Sequence, residues 1–321
     1  MFIRSTVLTG AASLFVLAMA VPAVAQSDMS GVWQPRYHED QPERIPGPEL
    51  RDYAGLPIND AARQYADSWD PSRLTLPEEQ CRVHVSPYIF RGPLNFRMWE
   101  EKHPKTQDLL ALKIYTSTFE QTRTIWMDGR PHPSPNAAHT WMGFSTGRYD
   151  GDMLVVETTH IKKGWVRRNG LPMSDRARMT EYFVVNGDVM THTVVLVDPL
   201  YLTEPLVKSE DFMRSARELP AGTWLWVCDA VIEVPRPLGE VPAYLPGEHP
   251  FKDEFMKRHN LPEVAVLGGA NTMYPEFQPN LGKFTAPVIA QPGRGGGAGG
   301  RGAGPAAPPA GAPAGGRGQG R

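Results

Sequence analysis

The stretch "RMTEYFVVNGDVMTHTVVLVD" (residues 178–198) decides the fold. Its two halves alternate polar with apolar residues and are rich in valine, threonine and aromatics, as half-buried strands are. Asn186-Gly187-Asp188 between them is a strong local hairpin signal. Working outward, "LVKSEDFMR" (206–214) and "TWLWVCDAVIEV" (223–234) follow with the same texture. "DMLVVETTHI" (152–161) precedes the hairpin after a Tyr149-Asp150-Gly151 turn, and "LLALKIYTSTFEQTRTIWM" (109–127) comes before that. Roughly seven or eight strands joined by short connections predict a mainly β chain, an antiparallel meander forming a barrel or a strongly curved sheet.

The flanks of this core differ from it. Residues 1–4 are short and basic, residues 7–21 are almost wholly apolar, and Ala23-Val24-Ala25 is the small-x-small pattern cut by signal peptidase. A cleaved signal peptide over 1–25 is expected, with the mature chain starting near Gln26 and residing in a bacterial periplasm or outside the cell. The apolar run falls short of the roughly 20 residues of a spanning helix, so no stable membrane insertion is expected. The mature chain reads as a single β-rich domain over 26–283. Within it, 26–107 is an irregular, proline-rich part, 108–234 the strand-rich core and 235–283 an irregular extension. Only "AARQYADSW" (61–69) in the first part reads as a helix, capped by Asn59 or Asp60. Residues 284–321 contain little besides glycine, proline, alanine and arginine, a composition that buries no apolar surface and predicts disorder.

A formal net charge of −2 gives no basic excess, and no nucleic-acid partner is expected. Cys81 and Cys228 are the only cysteines, and in an oxidising compartment they are expected to form one disulfide.

Gly143, Ser145 and Gly147 satisfy the G-x-S-x-G pattern of a serine nucleophile elbow. An elbow needs a helix after the second glycine. Here the chain instead enters an Asp-Gly hairpin, so the glycines are read as relief of crowding where a strand bends, with Ser145 facing outward or hydrogen-bonded.

The stretches "SGVW" (30–33), "DGRPHP" (128–133), "WMGFSTGRYDGDMLVVET" (141–158), "RRNGLPMSD" (167–175) and "DPLYLTEP" (198–205) resemble a widespread family of exported bacterial proteins. The resemblance implies export and no particular reaction. Members of that family often carry histidine where this chain has Phe144 and Met173. Gly31-Val32-Trp33 also matches the G-x-W that opens the barrel of lipocalin-like proteins, which agrees with a lipocalin- or calycin-like meander.

His132, His139, His160 and His192 fall in one half of the chain without the spacing of a metal motif, so no metal or cofactor is expected. His160 and His192 are both candidates for the barrel interior, joined there by Asp175 or Glu181. Strand periodicity places Val156, Thr158 and His160 on one face. From this follows an expected pocket lined by His160, Arg168, Asp175 and Glu181, with His160, Asp175 and Glu181 as acid–base groups and Arg168 recognising an anion. Trp141 and Trp165 are the aromatic candidates for ligand contact, whereas Trp224 and Trp226 share a face of the last strand and read as core. The leading function is binding of a small, partly apolar molecule carrying an anionic group. A barrel lyase, isomerase or hydrolase is the first alternative, and a structural or interaction role in the envelope the second.

Overall fold

The computed structural model describes residues 27–36, 47–76, 79, 82–91, 95–116, 119–217, 237 and 239–281. Nine strands close into one barrel in the order β1-β11-β10-β9-β6-β5-β4-β3-β2. In chain order these are β1 (Gly31–Pro35), β2 (Phe96–Lys102), β3 (Leu109–Thr116), β4 (Gln121–Trp126), β5 (Phe144–Asp150), β6 (Met153–Thr159), β9 (Arg178–Asn186), β10 (Val189–Val197) and β11 (Leu206–Ser215). Between β6 and β9 the chain makes a small separate hairpin of β7 (Gly164–Trp165) and β8 (Pro172–Met173).

The hairpin at Asn186-Gly187 forms as expected, with β10 pairing β9 from Val189↔Asn186 to Val197↔Arg178. Gly187 sits at φ +60, the left-handed conformation such turns demand. The run 109–127 forms two strands, folded between Thr116 and Gln121. Three features depart from the sequence reading. The proline-rich part contributes β1 and β2, and β1 closes the barrel by pairing with both β11 and β2. The meander is also not wholly antiparallel: β4 and β5 run parallel and pair only at Ile125↔Ser145 and Trp126↔Thr146. The extension read as irregular holds two short helices, α2 (Glu254–His259) and α3 (Glu263–Leu267). The expected helix is present as α1 (Asp60–Asp67), where Asn59 accepts from the Ala62 amide at 3.0 Å. Cys81, Cys228, Trp224, Trp226, residues 1–25 and residues 284–321 lie outside the described residues.

Glycine and tryptophan of the G-x-W do identifiable work at the closure. Trp33 is fully buried, donates from Nε1 to the Met29 carbonyl at 3.0 Å and stacks under the Arg214 guanidinium at 4.5 Å. Gly31 takes φ +133, a conformation side chains rarely adopt, and its lack of a Cβ leaves room for that guanidinium.

Inside the barrel, side chains fall into layers. Ile125, Leu154, Val156, Phe183, Met190 and Phe212 belong to one apolar cluster, together with Phe90 from a 3-10 turn (Ser86–Arg91). Met179, Val194, Leu196 and Leu206 belong to a second, shared with Leu171 and Met173 from the β7–β8 excursion. Between the two, at adjacent inward positions of the same strands, lie Arg123, Thr158, Glu181, His192 and Glu210, all buried. A polar belt therefore separates two apolar layers.

Candidate ligand groove and its supporting network

Arg123 is the centre of the belt. Its guanidinium donates to Ser145 Oγ from Nε and Nη2 (3.2 and 3.1 Å), to Thr158 Oγ1 (2.8 Å) and to Glu181 Oε1 (2.9 Å), with a further contact to Glu181 Oε2. One side chain on β4 thus reaches β5, β6 and β9. The β4–β5 ladder covers only two pairs, and the guanidinium supplies from inside the cross-links that the ladder lacks. The planar fork suits this task because several of its N–H groups donate at once in fixed directions.

The belt continues from Glu181 Oε1 to His192 Nε2 at 3.0 Å, and from His192 Nδ1 to Glu210 Oε1 at 3.3 Å. Glu210 Oε2 lies 3.3 Å from the Arg91 guanidinium. Burial alone would push the Glu181 carboxyl up, but the Arg123 charge and hydrogen bonds, with those of His192, hold it down at about 2. Burial likewise opposes a charged His192, yet hydrogen bonds to Glu181 and Glu210 outweigh it and raise the imidazole above its ordinary value. Both ring nitrogens of His192 thus face carboxylates, which favour its charged form, and the ring stacks on Phe183 at 4.5 Å.

Where β4 and β5 diverge, a groove of about 510 Å³ opens in the barrel wall. Thr122, Thr124 and Trp126 of β4 form one side and Trp141, Met142 and Phe144 another, and Glu120, Gln121 and Ser145 are among the rest of the lining. The first side carries two threonine hydroxyls and an indole, the second two aromatic rings and a thioether. Lys162 Nζ stands 4.8 Å from the Trp141 ring, and among the described residues no carboxylate pairs with it. Arg130 stacks on Trp126 at 3.5 Å but is tied to Asp128.

No family model, curated protein or solved structure matches this chain. Its site must therefore be read from its own residues.

Ser145 is hydrogen-bonded, one of the two states expected from its sequence, and it faces inward. Its Oγ accepts from Arg123 and shares a contact with Thr158 at 3.0 Å, with no histidine on it. A guanidinium donor makes a hydroxyl a poorer nucleophile, and nothing in its contacts removes its proton. The flanking glycines answer to packing: a Cβ on Gly143, at φ +69, would lie 2.7 Å from the Thr159 carbonyl, and one on Gly147 2.6 Å from Met127 Sδ.

The four residues expected in one pocket are not brought together. Glu181 is enclosed in the barrel, and Val156 and Thr158 do share its inner face. His160 does not follow them, because its backbone is left-handed at φ +57 and strand alternation ends at Thr159. Its ring bonds Thr159 Oγ1 (2.7 Å) and the Ser134 carbonyl (2.9 Å), on the outer side of β6. Asp175 is exposed in a turn, while Arg168 packs on Gly47. His192 and Glu181 meet inside the barrel, with Arg123 as the third partner, and His160 is not among them. Trp141 and Trp165 converge on the Arg82 guanidinium (5.2 and 4.7 Å), but only Trp141 lines the groove. Among the described residues no group of three or more His, Cys, Asp or Glu could hold a metal ion.

Arg123 escaped the sequence reading. The one available signal was its spacing: Gln121, Arg123 and Ile125 alternate with Thr122, Thr124 and Trp126, which makes either set eligible for the interior.

Proposed function

We propose that this chain is an exported barrel that binds a small, partly apolar molecule in the groove between β4 and residues 140–144. The observation that carries the reading is the gap itself. A closed ladder is interrupted at one seam, and the opening is lined by Trp126, Trp141 and Phe144 beside threonine hydroxyls and the Gln121 amide. Apolar walls with a few polar groups are what small-molecule sites present. The rigid belt beneath, fixed by Arg123, keeps the opening in shape without the ligand. Lys162 at the Trp141 rim gives an anionic substituent its counter-charge. Export is supported by the basic start, the apolar run and Ala23-Val24-Ala25, and by the resemblance to exported bacterial proteins. Acid–base chemistry through His160, Asp175 and Glu181 gains no support, since these groups face different surroundings.

The reading is tested with 4-nitrobenzyl alcohol and 4-nitrobenzoate, a neutral and an anionic aromatic, followed by quenching of tryptophan fluorescence. Saturable quenching is expected, tighter for the benzoate. Trp141→Leu should weaken both by about three- to tenfold, in line with the value of one aromatic contact, and Lys162→Gln should remove the preference for the benzoate. Purely linear, collisional quenching would sink the proposal.

A further inference from the structure

The crossover from β4 to β5, residues 127–143, forms one wall of the groove and is held to the outside of the barrel by three histidines. His132 bonds Thr159 Oγ1 through Nδ1 (2.7 Å) and Thr146 Oγ1 through Nε2 (2.9 Å). His160 bonds the same Thr159 oxygen through Nδ1 (2.7 Å) and the Ser134 carbonyl through Nε2 (2.9 Å). His139 Nδ1 donates to the Ile161 carbonyl at 3.0 Å, and its ring lies 5.2 Å from that of His160.

The protons in this chain have a single self-consistent arrangement when the imidazoles are neutral. A carbonyl only accepts, so His160 carries its proton on Nε2 and its Nδ1 must accept from the Thr159 hydroxyl. That hydroxyl has one proton to give, so toward His132 it accepts, and His132 carries its proton on Nδ1. His132 Nε2 then accepts from Thr146. Four hydrogen bonds run head to tail from Thr146 to the Ser134 carbonyl, tying the crossover to β5 and β6.

We propose that this relay is an acid-sensitive latch on the groove, in which protonation of His132 or His160 breaks the head-to-tail order and loosens residues 127–143. Since the crossover supplies Trp141 and Met142 to the wall, the proposal rests on the groove being the ligand site. A protonated His160 turns a donor toward Thr159 Oγ1, which already faces the donor of His132, and the Thr159 proton loses its acceptor. A protonated His132 turns a donor toward Thr146 Oγ1, which reverses that bond and ends the head-to-tail order at its first member. The second protonation is opposed by the first, because the two rings share one oxygen.

The surrounding charges set where this happens. His132 is held below the ordinary histidine value by burial, opposed by Glu157 on β6 and assisted by His160 and by Arg178 on β9. Glu157 is itself engaged by Arg148 of β5 at 3.3 Å, and on the crossover Arg130 is paired with Asp128. His139 faces His160 from the crossover. The latch is therefore closed at neutral pH and opens on the acid side.

The test uses the full chain and imidazole ¹⁵N resonances between pH 7.5 and 5. At pH 7.5, His132 is expected as the Nδ1–H tautomer and His160 as the Nε2–H tautomer. On acidification the Thr140 and Lys162 amides, which bond the His160 and Thr140 carbonyls at the root of the crossover, should shift with the rings. Affinity for 4-nitrobenzyl alcohol, which does not titrate in this range, should fall by about fivefold in the wild type, the small end of ordinary coupling. In the double variant His132→Gln/His160→Gln, whose amides both donate and accept without titrating, it should stay constant. If rings and amides respond while the alcohol binds at neither pH, the groove reading fails and the latch stands. If His132 is the Nε2–H tautomer at pH 7.5, or the two amides ignore the titration of both rings, the latch is overturned. These two readings need no variant.

Discussion

The β9–β10 hairpin and the β4–β5 seam solve the same problem, joining two strands of one barrel, in opposite ways. The hairpin uses neighbouring sequence, a two-residue turn and an unbroken ladder from Val189↔Asn186 to Val197↔Arg178. The seam joins strands separated by a crossover, pairs them in parallel at two positions and depends on a buried guanidinium to hold them. Backbone hydrogen bonds make the hairpin stiff and featureless. The short ladder leaves the seam, among the described residues, open to polar and aromatic side chains. Regular pairing secures the fold, and its local omission forms the groove proposed as the site.

The largest break in this comparison should come from Glu181→Gln. Removing the carboxylate leaves Arg123 charged and buried without its partner, and the loss expected is about 3–5 kcal/mol, read from urea unfolding. Arg123→Met together with Glu181→Leu should recover most of that loss while leaving the seam slack. If the single variant unfolds within about 1 kcal/mol of wild type, the belt is not what holds the seam.

Next in size is a pair of glycine substitutions that sharpens the contrast. Gly143→Ala meets a backbone carbonyl and strains a positive φ, and should lose about 2–3 kcal/mol, as overpacking together with backbone strain does. Gly187→Ala meets nothing within 4 Å and strains only φ, so about 1 kcal/mol is expected. Equal losses would show that the seam is no more tightly packed than the turn.

The same belt predicts a pH dependence. Glu181 is depressed, so its contribution is present above the ordinary carboxylate value and is lost as pH falls from about 4.5 toward 2. His192 is raised, so its contribution is complete below 6.5 and fades as pH rises through its folded value. Stability measured by denaturant midpoint should therefore fall on both sides of a maximum at mildly acid pH, and Glu181→Gln should flatten the profile. The smallest effect belongs to the closure. Trp33→Phe removes one buried hydrogen bond to Met29, and about 1 kcal/mol is expected in the same assay.

What the sequence made legible was local. The Asn186-Gly187 hairpin, the Asp150-Gly151 turn and the Asn59 cap each have cause and effect within a few residues. β1 was marked only by the Gly31-x-Trp33 resemblance, because its five residues sit near proline-rich sequence and its partners, β2 and β11, are remote along the chain. The parallel seam was hidden for the same reason. His160 was misplaced because a single left-handed residue ends the alternation that the apolar pattern extends through it. Glu181 was legible as an interior acid, but Arg123 beside it was not, since an alternating strand does not say which of its faces is inside. Of the two rings read as candidates for ligand contact, Trp141 lines the groove and Trp165 does not, though both stack on Arg82.

The central claim, that ligand binding is confined to the seam, is tested most directly by the tryptophan indole N–H resonances of ¹⁵N-labelled protein during titration with 4-nitrobenzoate. The expected result is saturable movement of Trp126 and Trp141 with Trp33, locked to Met29 on the far side of the ladder order, unmoved. Movement of Trp33 with Trp126 and Trp141 still would contradict it, as would no saturable movement at all.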